Sequence, residues 1–143
     1  MTTQIMEPAR ALRVRRILYR TATAAVVAEA AVGGWWDIAR VSYVRDIVVH
    51  LGYPTYLLVI LGVWKMLAAI VLVLPGWPLV KEWAYAGTVF VYTGAIASHL
   101  TVRYDRWEVA LLSALVLLTV VSWALRPPDR RPAGSGCRIT ARP

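Results

Sequence analysis

The chain has 143 residues, most simply one domain, and 59% of them are apolar against 17% charged, where soluble domains carry roughly 45–50% apolar residues. With a mean hydropathy of +0.56, that balance excludes a disordered chain and argues against an ordinary soluble domain, while the length excludes a transporter of ten or more spans. The formal charge of +8 arises from 16 Lys and Arg against 8 Asp and Glu, but the cations gather at the flanks of apolar stretches, which indicates membrane insertion and anionic-lipid contact rather than nucleic-acid binding.

Four segments reach, or nearly reach, the ~20 residues that a helix needs to cross a ~30 Å hydrocarbon core. The first runs from about Ile17 to Trp36, behind a basic flank at residues 1–16. Ala28-Glu29-Ala30 resembles a signal-cleavage site, but the apolar stretch before it is short and the segment stays apolar beyond it. Gly33 and Gly34 are expected to loosen the end of this span. Gly52, Tyr53 and Pro54 lead into a second span from about Tyr56 to Leu74. Pro75-Gly76-Trp77-Pro78 leaves room only for a hairpin before the third, from about Trp83 to Val102. Tyr104, Asp105 and Arg106 form the last turn, and the fourth span covers about Val109 to Leu125. Pro127 and Pro128 stop it. The Pro- and Arg-rich tail at residues 126–143 is expected to be disordered. Its Cys137 is the only cysteine, which excludes an internal disulfide and a CxxC pair.

The expected architecture is therefore all-α: a transmembrane four-helix bundle over residues 17–125. Trp35, Trp36, Trp77, Trp83, Trp107 and Trp123 fall near span ends, where the headgroup layer favours indole rings; only Trp64 lies well inside a span. With both termini inside, eleven Lys and Arg flank the spans on the cytoplasmic side and four lie in the outer loops, so the positive-inside rule predicts N-in and C-in.

Two ionisable residues fall at similar depth. Glu29 lies 12 residues into the first span and Lys65 lies 9 into the second, about 18 and 14 Å along antiparallel helices. A lone charge there costs at least ~2.5–3.5 kcal/mol, so the two are expected to pair in the bundle interior, either to fix helix register or to handle a proton or ligand. Tyr85, Tyr92 and His99 recur every seven residues and share one stripe of the third span. Together with Trp64 they are candidate ligand-binding residues, although such a stripe also serves as ordinary core. Small residues in the first and third spans (Ala22, Ala24, Ala25 and Ala28; Ala84, Gly87, Gly94, Ala95 and Ala97) are expected to mark close helix packing, with a homodimer face as the alternative. Asp37, Asp46, His50 and His99 could gather on the outer surface, but their spacing matches no metal motif. No phosphate loop, HExxH or GxSxG is present, so no catalytic residues are assigned.

Five runs in order resemble a known family: His50-Leu51-Gly52-Tyr53-Pro54, Leu61-Gly62-Val63-Trp64-Lys65, Leu74-Pro75-Gly76, Lys81-Glu82-Trp83-Ala84-Tyr85-Ala86-Gly87, and Gly94-Ala95-Ile96-Ala97-Ser98-His99. They are similar to the DoxX-like family of small four-helix membrane proteins. The resemblance spans about Ile17 to Leu125 and marks Gly52, Pro54, Lys65, Pro75, Lys81, Glu82, Gly87, Ser98 and His99 as recurrent family positions. It implies a multi-pass protein of a bacterial plasma membrane, in contact with the bilayer. The expected role is an accessory or scaffold subunit tied to membrane redox or oxidative-stress functions, with no catalysis of its own and a redox or stress-response protein as partner. The alternative is quinone or small-molecule binding, or transport, through a polar pocket within the bundle.

Overall fold

A computed structural model describes residues 6–103 and 105–127, with side chains from Arg10 onward. The tail from Pro128 through Cys137 to Pro143, whose disorder was expected, and Tyr104 of the last turn lie outside the described residues. The described chain is all-α, in five helices: α1 Met6–Ala39, α2 Ser42–His50, α3 Tyr56–Val73, α4 Pro78–Val102 and α5 Arg106–Ala124.

The four long helices cover the four segments read as spans, with α1 and α4 beginning earlier than expected, and their ends follow local chemistry. Leu74, ahead of Pro75, turns extended and stops α3, as a residue before proline must. Gly76 adopts φ +82°, and Pro78 opens α4 at a position where its missing N–H is not needed. The Asp105 carboxylate accepts from the Trp107 amide at 2.9 Å and caps α5. Gly52, at φ +84°, makes the reversal after α2.

Two sequence expectations need correction. Gly33 and Gly34 do not loosen α1, which continues through them to Ala39. They are where α3 approaches most closely: a Cβ on Gly34 would lie 3.0 Å from the Gly62 carbonyl oxygen, and one on Gly62 would lie 2.6 Å from the Gly34 oxygen. The glycines of α4 do the reverse of what was expected. A Cβ on Gly87 or Gly94 meets nothing within 4 Å, so neither marks a close helix contact. The short helix α2 was not foreseen, although Val44, Ile47 and Val48, its half-buried residues, carry helical spacing.

The long helices close a ring of contacts: α1 on α3, α3 on α4, α4 on α5, and α5 back on α1, with α1–α3 the largest interface. Val26, Leu72 and Tyr85 form its apolar centre. Among the described residues, α3 and α5 are the helices long and apolar enough throughout to cross a membrane, and just 22% and 11% of their apolar windows are buried. A core helix of a soluble protein would be mostly covered; these expose greasy surface that water does not tolerate. The helices α1 and α4 carry more ionisable and polar residues, among them Arg16, Arg20, Glu29 and Asp37 of α1 and Lys81 and His99 of α4.

Each end of the ring is fastened by polar contacts. At the end holding the start of α1, Lys81 donates to the Leu72 carbonyl at 3.2 Å and also to that of Leu74, capping α3. Beside it Glu82 pairs with the buried Arg126 and accepts from Trp123 Nε1 at 2.7 Å. At the α2 end, the Tyr53 hydroxyl meets Ser98 Oγ at 2.9 Å, and the Tyr43 hydroxyl donates to Glu108. Of the recurrent family positions, Lys81, Glu82 and Ser98 thus tie helix ends together. Gly52, Pro54 and Pro75 lie in the connections between helices.

Candidate functional site

Glu29, Gly33 and Asp37 occur four residues apart on α1, one helical turn each, so they lie along one side of it. Lys65 of α3 reaches across this side. Its Nζ lies 3.3 Å from Glu29 Oε1 and 3.2 Å from Asp37 Oδ2. Gly33 makes the crossing feasible, because a Cβ there would stand 2.8 Å from Glu29 Oε1 and 3.2 Å from Lys65 Nζ. The expected Glu29–Lys65 pair therefore forms, but with a second carboxylate. Sequence spacing had grouped Asp37 with Asp46, His50 and His99. Instead α1 extends far enough to turn Asp37 inward, where it is only 6% exposed. Asp46 pairs with Arg45 at the surface. Among the described residues, no group of three His, Cys, Asp or Glu side chains could hold a metal.

The lysine is also a wall of a cavity. A space of about 340 Å³ opens between α3 and α4, with α1 contributing Ala30. Lys65, Trp64, Tyr92, Trp83, Thr88 and Gly87 are among its lining residues, and the rest are apolar. Ligand pockets commonly span ~300–1,000 Å³, mostly apolar with a few placed polar groups. Lys65 Nζ sits 5.9 Å from the centre of the Tyr92 ring, which adds a cation–π contact to its two carboxylates. An ammonium has three N–H donors, so two carboxylates leave one for an oxygen acceptor. The second Glu29 oxygen, Oε2, is buried without a hydrogen-bond partner among the described residues. Trp64 and Trp83 are 64% and 72% exposed, which opens the cavity sideways to the surroundings of the helices.

Of the six candidate ligand-binding residues, three therefore line this cavity: Trp64, Lys65 and Tyr92. Glu29 stands behind Lys65 and holds it. Tyr85 and His99 are elsewhere. The α4 wall of the cavity runs from Val80 to Tyr92, so Tyr85 lies within its height but turns away from it, while His99 lies about 10 Å beyond Tyr92 along the axis. Tyr85 binds Ser122 Oγ at 2.8 Å, Ser122 in turn meets Thr23 at 2.7 Å, and Arg126 lies 5.1 Å from the Tyr85 ring. His99 is buried, at 3% exposure, near the α2 end. The shared stripe is real, since Tyr85, Tyr92 and His99 are all buried together with Lys81. Gly87, set down as a family position, proves to be a cavity wall. The missed residue was Asp37; its position two turns beyond Glu29 was the available signal.

The sequence profile of the DoxX-like family matches residues 21–124, a stretch that includes Glu29, Lys65 and every lining residue of the cavity. The chain belongs to the DoxX-like family. Membership, with the exposed apolar helices α3 and α5, makes it a membrane protein in contact with the lipid bilayer. No curated protein and no solved structure matches the chain. The matched region of this DoxX-like chain takes in the Gly34–Gly62 crossing as well, so the family's segment carries both the seam and the cavity.

Proposed function

We propose that this chain is a transmembrane bundle of α1, α3, α4 and α5, with both termini in the cytoplasm of a bacterial cell. It binds a small amphipathic carbonyl compound, a quinone being the best fit, in the α3–α4 cavity against Lys65. The observation that carries this reading is an ammonium held by two carboxylates at the wall of an otherwise apolar cavity. Lys65 supplies the donor for a quinone oxygen. Trp64 and Tyr92 offer aromatic faces to the ring, and the sideways opening leaves an isoprenoid tail in lipid. Orientation is supported by the excess of cations flanking the spans on the termini side. An accessory role beside a redox or stress-response partner is compatible with this, because a binding subunit without catalysis delivers its ligand to another protein.

The test is a titration of purified protein with a menaquinone analogue, read as quenching of Trp64 and Trp83. Saturable quenching is expected, reduced at least tenfold in Lys65→Met. Because that change strands the buried Asp37 and half-buried Glu29 carboxylates, Gly87→Leu is the companion. Gly87 is a wall of the cavity and a Cβ there meets nothing within 4 Å, so a larger side chain takes up cavity volume while Glu29, Asp37 and Lys65 are all retained. Non-saturable quenching in the wild-type protein, or unchanged quenching in Gly87→Leu, refutes the site.

A further inference from the structure

A second and larger space lies along α1, toward the end that holds the N-terminal flank. Its volume is about 650 Å³, between α1 and the last turn of α3, with Pro127 closing the end. Arg16 and Arg20 stand at one extremity, on successive turns of α1, and Tyr19 and Thr23 lie beside them. The floor then runs along small or apolar residues, Ala24, Val27, Ala28 and Ala31, with Leu72 and Val73 as the opposite wall. Both arginines are exposed, and neither makes an ion pair among the described residues. Arg126, next to Pro127, is engaged with Glu82, and Lys81 donates to the carbonyls of Leu72 and Leu74.

We propose that this groove is a binding site for one anionic phospholipid of the cytoplasmic leaflet. The inference rests on the transmembrane reading with the termini inside, but not on the α3–α4 cavity or its ligand. Charge selects the head: two guanidinium groups one turn apart present paired donors to a phosphate, which binds them as a fork. Shape selects the tail. From Arg20 to Ala31 the groove extends eleven residues, about 16 Å along the helix axis. That is the ~15 Å depth of one leaflet's hydrocarbon, half of a ~30 Å core. The alanines matter because side chains without γ atoms leave a trough along α1 that an acyl chain can fill. Lipid in this trough would lie against α1 and the last turn of α3, on residues none of which lines the Lys65 cavity.

The experiment is a lipid titration of the full chain in mild detergent, read by native mass spectrometry. Phosphatidylglycerol and phosphatidylcholine of identical acyl chains are compared, with inorganic phosphate as competitor. Phosphatidylglycerol is expected to be retained over phosphatidylcholine. Each arginine near an anionic head contributes about fivefold, so Arg16→Gln/Arg20→Gln should weaken phosphatidylglycerol about 25-fold. Ala28→Phe, which alters no charge, should also expel it by filling the trough. Gly87→Leu should leave lipid retention unchanged, which separates this site from the Lys65 cavity. Unchanged helical circular dichroism of the double variant in detergent shows that the bundle itself persists. Equal retention of the two lipids, full retention in either groove variant, or complete displacement by millimolar phosphate overturns the proposal.

Discussion

Gly62→Ala would add one methyl group where α3 meets the backbone of α1. The new Cβ would lie 2.6 Å from the Gly34 carbonyl oxygen, 2.7 Å from Ile38 Cγ1 and 2.9 Å from the Ile38 nitrogen. Two of these atoms are helical backbone and cannot rotate away. Restoring a ~3.5 Å contact would require α1 and α3 to part by about 0.9 Å. Overpacking of this kind costs about 1–3 kcal/mol, and its upper half applies where the obstacle is backbone. Replacing glycine by alanine inside a helix returns about 0.8–1.0 kcal/mol. The net expectation is a loss of about 1–2 kcal/mol. Gly94→Ala is the internal control, because its Cβ meets nothing within 4 Å and only the propensity gain remains. The two variants should therefore differ by about 2–3 kcal/mol, or about 4–12 °C in thermal midpoint for a chain of this size. Thermal unfolding in one detergent, followed by tryptophan fluorescence, measures this directly. If Gly62→Ala melts at or above wild type, the seam is not a close backbone contact and the reasoning fails.

Other consequences follow from the same geometry. Gly33→Ala crowds only the movable ends of Glu29 and Lys65, so it should cost under ~1 kcal/mol in stability yet shift the affinity for a quinone analogue; equal affinity would show that the ion cluster does not set the site. Glu82→Ala removes the carboxylate beside Arg126, which is 3% exposed, and should destabilise by about 3 kcal/mol, the lower end for a broken buried pair because Glu82 itself is 29% exposed; denaturant titration reads it, and a loss under ~0.5 kcal/mol would contradict the clamp. His99→Ala should leave analogue binding unchanged, because His99 is not a wall of the cavity; weakened binding would return the histidine to the site. In a Cys137→Ser background, Asp46→Cys should react with an impermeant maleimide on intact cells and Gly76→Cys should not; the reverse pattern would invert the proposed orientation.

The four long helices were legible because long apolar runs without internal proline favour helix, and the Pro and Gly clusters between them favour turns. The Glu29–Lys65 pair was legible for a related reason, since two ionisable groups at matched depth have few other partners. Glycine function was not. A glycine reads as a break, but whether it loosens a helix or admits a neighbour depends on what stands opposite. Gly34 has Gly62 opposite it, whereas Gly87 has the cavity. Asp37 was misplaced for a similar reason. Its role depended on how far α1 continues past two glycines and two tryptophans, and propensity at those positions favours stopping. The Tyr85–Tyr92–His99 stripe was read correctly as a shared buried face and incorrectly as one site, because periodicity gives direction around a helix but not membership of a particular cavity.

The central claim is that a carbonyl-bearing amphiphile occupies the space beside Lys65. The most direct measurement is organic extraction of protein purified from its membrane, with mass spectrometry of the extract, for wild type and Gly87→Leu side by side. The account predicts a quinone-class molecule approaching one per chain in wild type and its loss in Gly87→Leu, while both proteins stay folded. Absence of such a molecule from wild type, or its equal recovery from the filled-cavity variant, would contradict the account.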